Sequence, residues 1–273
     1  MDYLNGDGGI LEALNAKVYG NGTETLVLSH GFGADQTVWH YILPYLACYF
    51  KVVVFDMVFS PNVNPQLYNP DKYSKFDSYA EDLICLLDQL NVTSSIYLGH
   101  SMSAMIGCIA ATHRPHLFKH LILLGGSPRY LNAKEYFGGF KRSDTEMIFQ
   151  DIKQDYTVWV TNFSPKVIGV NDSESIHEFE YSLKRMEPNI TLHVAKTVFL
   201  SDLRWVLRHV KMPCTIIQSE RDPVVPLSVA DYMKSKLADD TRVEILKTEG
   251  HFPQLTACPL LLDVLKRVLY NND

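Results

Sequence analysis

The sequence has no long apolar run, no block of like charge and no closely paired cysteines, and each absence removes a class of function. Without an apolar stretch near the length of a membrane span, no transmembrane helix is expected. Residues 1–9 hold no Lys or Arg and no apolar core, so no secretory signal is expected and a cytoplasmic and nuclear protein is. The net charge of −6, from 25 basic and 31 acidic residues, comes with no charged arm or tail, so neither nucleic acid nor a membrane surface is an expected partner. Cys48, Cys85, Cys108, Cys214 and Cys258 are odd in number and lack C-x-x-C spacing. That pattern argues against zinc and against a disulfide framework, leaving free, mostly core thiols. No metal or cofactor is expected.

What is present is an alternation. Short runs rich in Val, Ile and Leu at 16–19, 25–28, 52–55, 95–98, 120–124, 215–218 and 242–246 predict strands. Helical periodicity at 38–47, 78–90, 102–113, 227–237 and 259–269 predicts helices between them. The order reads as an α/β fold with a mostly parallel sheet in a single domain over 1–273. The alternation breaks at about 132–196, a polar, aromatic and helical stretch that reads as an inserted lid before the last strands. Its aromatics, Tyr136, Phe137, Phe140, Phe149, Tyr156, Trp159, Phe163, Phe179 and Tyr181, either pack the lid to the sheet or line a cavity beneath it.

The strongest local signal is Gly99-His100-Ser101-Met102-Ser103, a G-x-S-x-S pentapeptide between a predicted strand and a predicted helix. A serine on so sharp a turn needs small residues two positions to either side, and Gly99 and Ser103 meet that need. The helix start directs free N–H groups and its positive dipole end at a developing anion. Upstream, His30-Gly31-Phe32-Gly33 follows a strand, and in the α/β-hydrolase fold that loop supplies the second oxyanion donor. The N–H groups of Phe32 and Met102 are therefore the expected oxyanion hole.

A serine hydroxyl needs a base, and the base needs a carboxylate to orient it. The fold places them in the chain order Ser, acid, His, each on a loop after a later strand. Asp222 and His251 occupy those places. Glu220 is a rival acid, but Asp222 stands directly before a Pro-rich turn and is preferred. His100 is expected to be a core residue or to support the site. Ser101, Asp222 and His251 form the expected triad.

On these segments, and on Ser127-Pro128-Arg129-Tyr130-Leu131-Asn132, Thr197-Val198-Phe199-Leu200-Ser201-Asp202 and Glu249-Gly250-His251-Phe252-Pro253, the chain resembles the strigolactone and karrikin receptor family of plant α/β-hydrolases. Within that family it is most similar to the divergent DWARF-like clade. The resemblance implies a monomer with a four-helix V-shaped lid, a small apolar butenolide-type ligand that is slowly hydrolysed, and signalling through an F-box protein and repressor partners. Carried over residue by residue, it implies a pocket lined by Phe32, Phe140, Trp159, Phe163 and Phe199, with Ser201 as a polar contact.

The chain also departs from the family pattern. Met57-Val58-Phe59-Ser60-Pro61 stands where the family has a small Ala-Gly step, Lys166 where it is apolar, and Glu187 where it has arginine. A sign change on a recognition surface alters which partners it accepts. A conventional small-ester hydrolase and a ligand-binding protein with incidental chemistry are the competing functional readings.

Overall fold

Runs of branched apolar residues become the strands of one seven-stranded sheet in the computed structural model, which describes residues 9–270. The strands are β1 Lys17–Tyr19, β2 Thr25–Ser29, β3 Lys51–Phe55, β4 Ser95–His100, β5 Phe118–Leu124, β6 Cys214–Arg221 and β7 Arg242–Glu249. Their order is β1-β3-β2-β4-β5-β6-β7, with β1 antiparallel to β3 and every other pair parallel. β4 is buried along its whole length, as a central strand covered on both faces must be.

Register sets the site. Ser29 lies opposite Gly99, His100 opposite Leu124, and Arg221 opposite Glu249. The loops leaving β2, β4, β5, β6 and β7 therefore open on one edge, the C-terminal end of the parallel sheet, where open α/β sheets carry their ligands. Helices Phe76–Gln89, Met102–His113, Leu227–Lys234 and Cys258–Tyr270 cover the faces. The helix expected at 38–47 is instead a 3₁₀ turn, Gln36–Trp39, and a short helix, Leu43–Leu46. Pro44 accounts for the break, because it brings no N–H and fits only a first turn.

The lid leaves the sheet after β5 and rejoins it before β6. These two strands are neighbours, with Leu121 opposite Cys214. Its helices are Arg142–Gln154, Tyr156–Ile168, Ser173–Lys184 and Pro188–Phe199. Local sequence explains their ends: the side chains of Asp155 and Asp172 cap the second and third, and Pro188 opens the fourth. Gly169 ends the second in the left-handed conformation, φ 73°. The helical part thus lies later than the expected span. Residues 132–141 form a tight loop instead, in which Leu131 bridges Phe140 and the Asn132 side chain accepts the N–H groups of Gly138 and Gly139.

The lid aromatics divide. Phe149, Trp159 and Phe179 are buried, whereas Phe137 and Tyr181 face solvent. The cysteines are free, but only Cys108 and Cys214 are buried, so the expectation of mostly core thiols fails: Cys48 and Cys85 are exposed. Among the described residues no helix is long and apolar enough to cross a membrane.

Candidate active site

Ser101 sits between β4 and the helix Met102–His113 with φ 57° and ψ −122°, a strained conformation for a residue with a side chain. Its own N–H donates to the Leu124 carbonyl at 2.8 Å, which ties the turn to the adjacent strand. Crowding explains the small neighbours. A Cβ on Gly99 would lie 2.5 Å from the Ser103 carbonyl oxygen, and one on Gly31 would lie 2.9 Å from the Ser101 Cβ. Ser103, where the common pattern has glycine, uses its hydroxyl to bond the buried His30 carbonyl and so joins the elbow to the loop after β2.

The three residues expected to act together are in one hydrogen-bonded chain. His251 Nε2 is 2.9 Å from Ser101 Oγ, and His251 Nδ1 is 2.8 Å from Asp222 Oδ2. The Asp222 side chain is 1% exposed, yet its oxygens accept from Gln218 Nε2 at 3.0 Å and from the N–H groups of Val224 and Val225 at 2.8 and 3.1 Å. Those donors fix its orientation toward His251. Glu220, the rival acid, is exposed, and His251 Nδ1 is bonded to Asp222 instead.

His251 is also fixed through its backbone. Its N–H donates to the Val167 carbonyl at 3.0 Å, and its carbonyl accepts from His100 Nε2 at 2.8 Å. The preceding Gly250 has φ 92° and passes so close to the second lid helix that a Cβ would lie 1.9 Å from the Ile168 carbonyl oxygen. Its N–H donates to the Arg221 carbonyl at 2.9 Å, stapling the His251 loop to the Asp222 loop.

In the loop after β2, the N–H of Phe32 has no backbone acceptor among the described residues. Met102 opens its helix, where N–H groups lack intrahelical partners. The Phe32 ring is buried beside Phe59, centroids 6.5 Å apart, so the segment 57–61 packs against the loop after β2. His30 fixes that loop from below. Its Nδ1–H donates to the Gly31 carbonyl, while Nε2 accepts from the Met57 N–H at 2.9 Å and the Ser60 hydroxyl at 3.0 Å. Burial lowers its pKa below the usual 6.5 in spite of Asp56, in keeping with the neutral tautomer these bonds require.

A cavity of about 610 Å³ opens between the first and second lid helices, and Phe140, Ile148, Trp159, Phe163, Val167 and Val224 are among its walls. Trp159 and Phe163 stack at 4.9 Å. Phe199 packs edge-on against Phe140 at 5.1 Å and Tyr130 at 5.6 Å. Of the expected pocket residues Phe140, Trp159 and Phe163 line this cavity and Phe32 and Phe199 do not, while Ser201 lines a separate cleft of about 640 Å³ with Lys75, His193 and Trp205, its hydroxyl donating to the Val198 carbonyl at 2.8 Å. A serine just past a helix end finds a carbonyl of the last turn closer than any ligand.

Two residues near the reacting atoms were not anticipated. The Tyr130 hydroxyl is 3.4 Å from Ser101 Oγ, and burial raises its pKa, so it remains a donor. A Cβ on Gly125, which has φ 57°, would stand 3.4 Å from His251 Cε1, so the loop after β5 approaches the base closely. The available signal was position: both follow β5 on the edge that carries the other loops.

A family model described as alpha/beta hydrolase fold matches residues 24–146. The chain is 46% identical over 260 residues to strigolactone esterase D14 of Arabidopsis thaliana, covering 95% of this chain and 97% of that protein. It is 43% identical over 262 residues to karrikin insensitive 2 receptor CA of Petunia hybrida, covering 96% and 97%. Among solved structures, the hydrolase olei00960 of Oleispira antarctica superposes with a TM-score of 0.93 at 31% identity, covering 96% of this chain and 97% of that one.

Proposed function

The chain belongs to the α/β-hydrolase family of the strigolactone esterases and karrikin receptors, and from that membership we propose that it is a serine hydrolase that opens a butenolide-type lactone or ester slowly and answers to it as a receptor. The observation that carries the reading is the bonded chain Ser101–His251–Asp222.

Ser101 Oγ attacks the ligand carbonyl as its proton passes to His251 Nε2. Asp222 holds Nδ1–H, fixes the tautomer and stabilises the imidazolium. The carbonyl oxygen becomes an oxyanion held by the N–H groups of Phe32 and Met102, and losing one such donor costs about 3 kcal/mol. Collapse returns the proton from His251 to the leaving oxygen and leaves an acyl group on Ser101. Water, activated by the same histidine, then releases the acid. Phe140, Trp159 and Phe163 on the wall of the lid cavity suit the apolar part of a small ligand, and Asp144, Asp151, Asp155 and Lys166 at the same cavity offer polar contacts.

The signalling part of the proposal is an F-box protein and repressor partners that dock on the lid of a monomer, in cytoplasm and nucleus. Lys166 lies on the cavity wall and Glu187 is exposed at the start of the fourth lid helix, so the docking surface differs in charge from the family pattern.

The test is turnover and intact-protein mass spectrometry with a butenolide ligand, for wild type and Ser101→Ala, beside ligand-dependent binding to the F-box protein. Loss of hydrolysis and of any covalent adduct in Ser101→Ala is expected. Full hydrolysis by Ser101→Ala would remove the serine mechanism. Rapid turnover of many simple esters, with no response from the F-box protein, would remove the receptor role.

A further inference from the structure

We propose that His100 is a positioning residue for the base, holding the His251 backbone so that the His251 ring stays in line with Ser101. The inference rests on the hydrolase reading above.

His100 is fully buried at the end of β4 and immediately precedes Ser101. Its Nε2 is 2.8 Å from the carbonyl oxygen of His251, 151 residues away in the chain. A carbonyl only accepts, so Nε2 carries the hydrogen and Nδ1 is the bare nitrogen. No partner meets Nδ1 among the described residues, which leaves nothing to compete for that tautomer. Burial and the neighbouring His251 both push the His100 pKa well below 6.5, so the ring is neutral wherever the enzyme works. Neutrality matters because the two rings lie only 4.9 Å apart, and a charged His100 would oppose the imidazolium that His251 becomes.

The bond joins a side chain at the nucleophile's turn to the backbone of the base. With the Val167 carbonyl accepting the His251 N–H, both backbone polar groups of His251 are fixed, one by the elbow and the other by the lid. Only the side-chain torsions of His251 remain free, and Asp222 and Ser101 settle those. A base held this way needs little reorganisation to reach the serine proton.

The competing account is packing alone, since His100 also meets Phe252 at 4.6 Å and Trp39 at 6.4 Å. The two accounts separate by replacement chemistry. Gln places an amide nitrogen near where Nε2 stands, whereas Leu and Met fill space without a donor.

The experiment is steady-state hydrolysis of p-nitrophenyl acetate by the full chain as wild type, His100→Gln, His100→Leu and His100→Met, with thermal unfolding of each. The donor-free variants should lose about tenfold in kcat with KM held within about twofold, and His100→Gln should recover most of the loss. The proposal is overturned if His100→Gln falls as far as the others, or if Leu and Met keep the wild-type kcat. If neither donor-free variant folds, His100→Asn, whose amide stops short of the carbonyl, replaces them against His100→Gln with the same expectation. Ser101→Ala is run alongside: turnover surviving there would sink the serine mechanism itself, an outcome distinct from any result at position 100.

Discussion

The amide of His251 donates to the carbonyl of Val167 at 3.0 Å, so the proposed base is bonded directly to the last turn of the second lid helix. Chemistry at the sheet edge and the position of the lid therefore share one hydrogen bond, and Gly250 and Gly169 make the approach possible by presenting no side chains to each other.

Gly250→Ala should break this arrangement. The residue has φ 92°, and the added Cβ would overlap the Ile168 carbonyl, so the helix end or the loop must move. A loss of about 1–3 kcal/mol in stability is expected from the backbone strain alone. Urea unfolding measures that loss. Turnover should fall with it, and unchanged kcat would show that the base does not depend on this contact.

Asp222→Asn should lower kcat on the order of 10⁴-fold, the scale set by removing the equivalent carboxylate in serine proteases. Glu220→Gln should leave kcat within about twofold, because Glu220 is exposed and His251 Nδ1 is already bonded to Asp222. The pair of measurements assigns the acid outright.

Stability should decline as pH falls below 6.5. Burial lowers the pKa of both His30 and His100, whose usual value is 6.5, so the folded state keeps them neutral while the unfolded chain takes up protons. Their contribution is full above that pH and is lost below it, at about 1.4 kcal/mol per pH unit for each proton taken up on unfolding. Urea midpoints between pH 7.5 and 5 read the slope. His100→Gln should flatten it by about one proton, and an unchanged slope would place the titration elsewhere.

Ligand in the lid cavity should quench tryptophan emission, and the signal should come from Trp159. That ring is buried on the cavity wall and stacked on Phe163, whereas Trp39 is wholly enclosed and Trp205 lies at the separate cleft. Trp159→Phe should abolish the quench while leaving binding measurable by calorimetry. Quenching that persists in the variant would move the ligand to another place.

All seven strands were legible because branched apolar runs bounded by turns read the same way alone as in the sheet. The Ser, acid, His order was legible for a similar reason: each residue follows a strand that the pattern identifies. What escaped was either a conflict between local signals or a contact made across the fold. The break at Pro44 pitted a local proline against helical periodicity, and the proline won. Ser201 was a pocket residue only by family resemblance, and its hydroxyl bonds a carbonyl of its own helix end. Tyr130 and Gly125 reach the site only because β5 lies beside β4, and no local pattern marks a residue for what stands opposite it.

Because the lid departs from β5 and returns to β6, two strands already side by side, its whole length is added without shifting the register of any pair in the sheet. The scaffold can therefore exchange one cap for another, and with it the ligand it admits, while Ser101, Asp222 and Phe32 stay in place. One condition limits the exchange. Any replacement must return a carbonyl to the spot where Val167 now offers one, or the histidine loses half of its backbone anchorage.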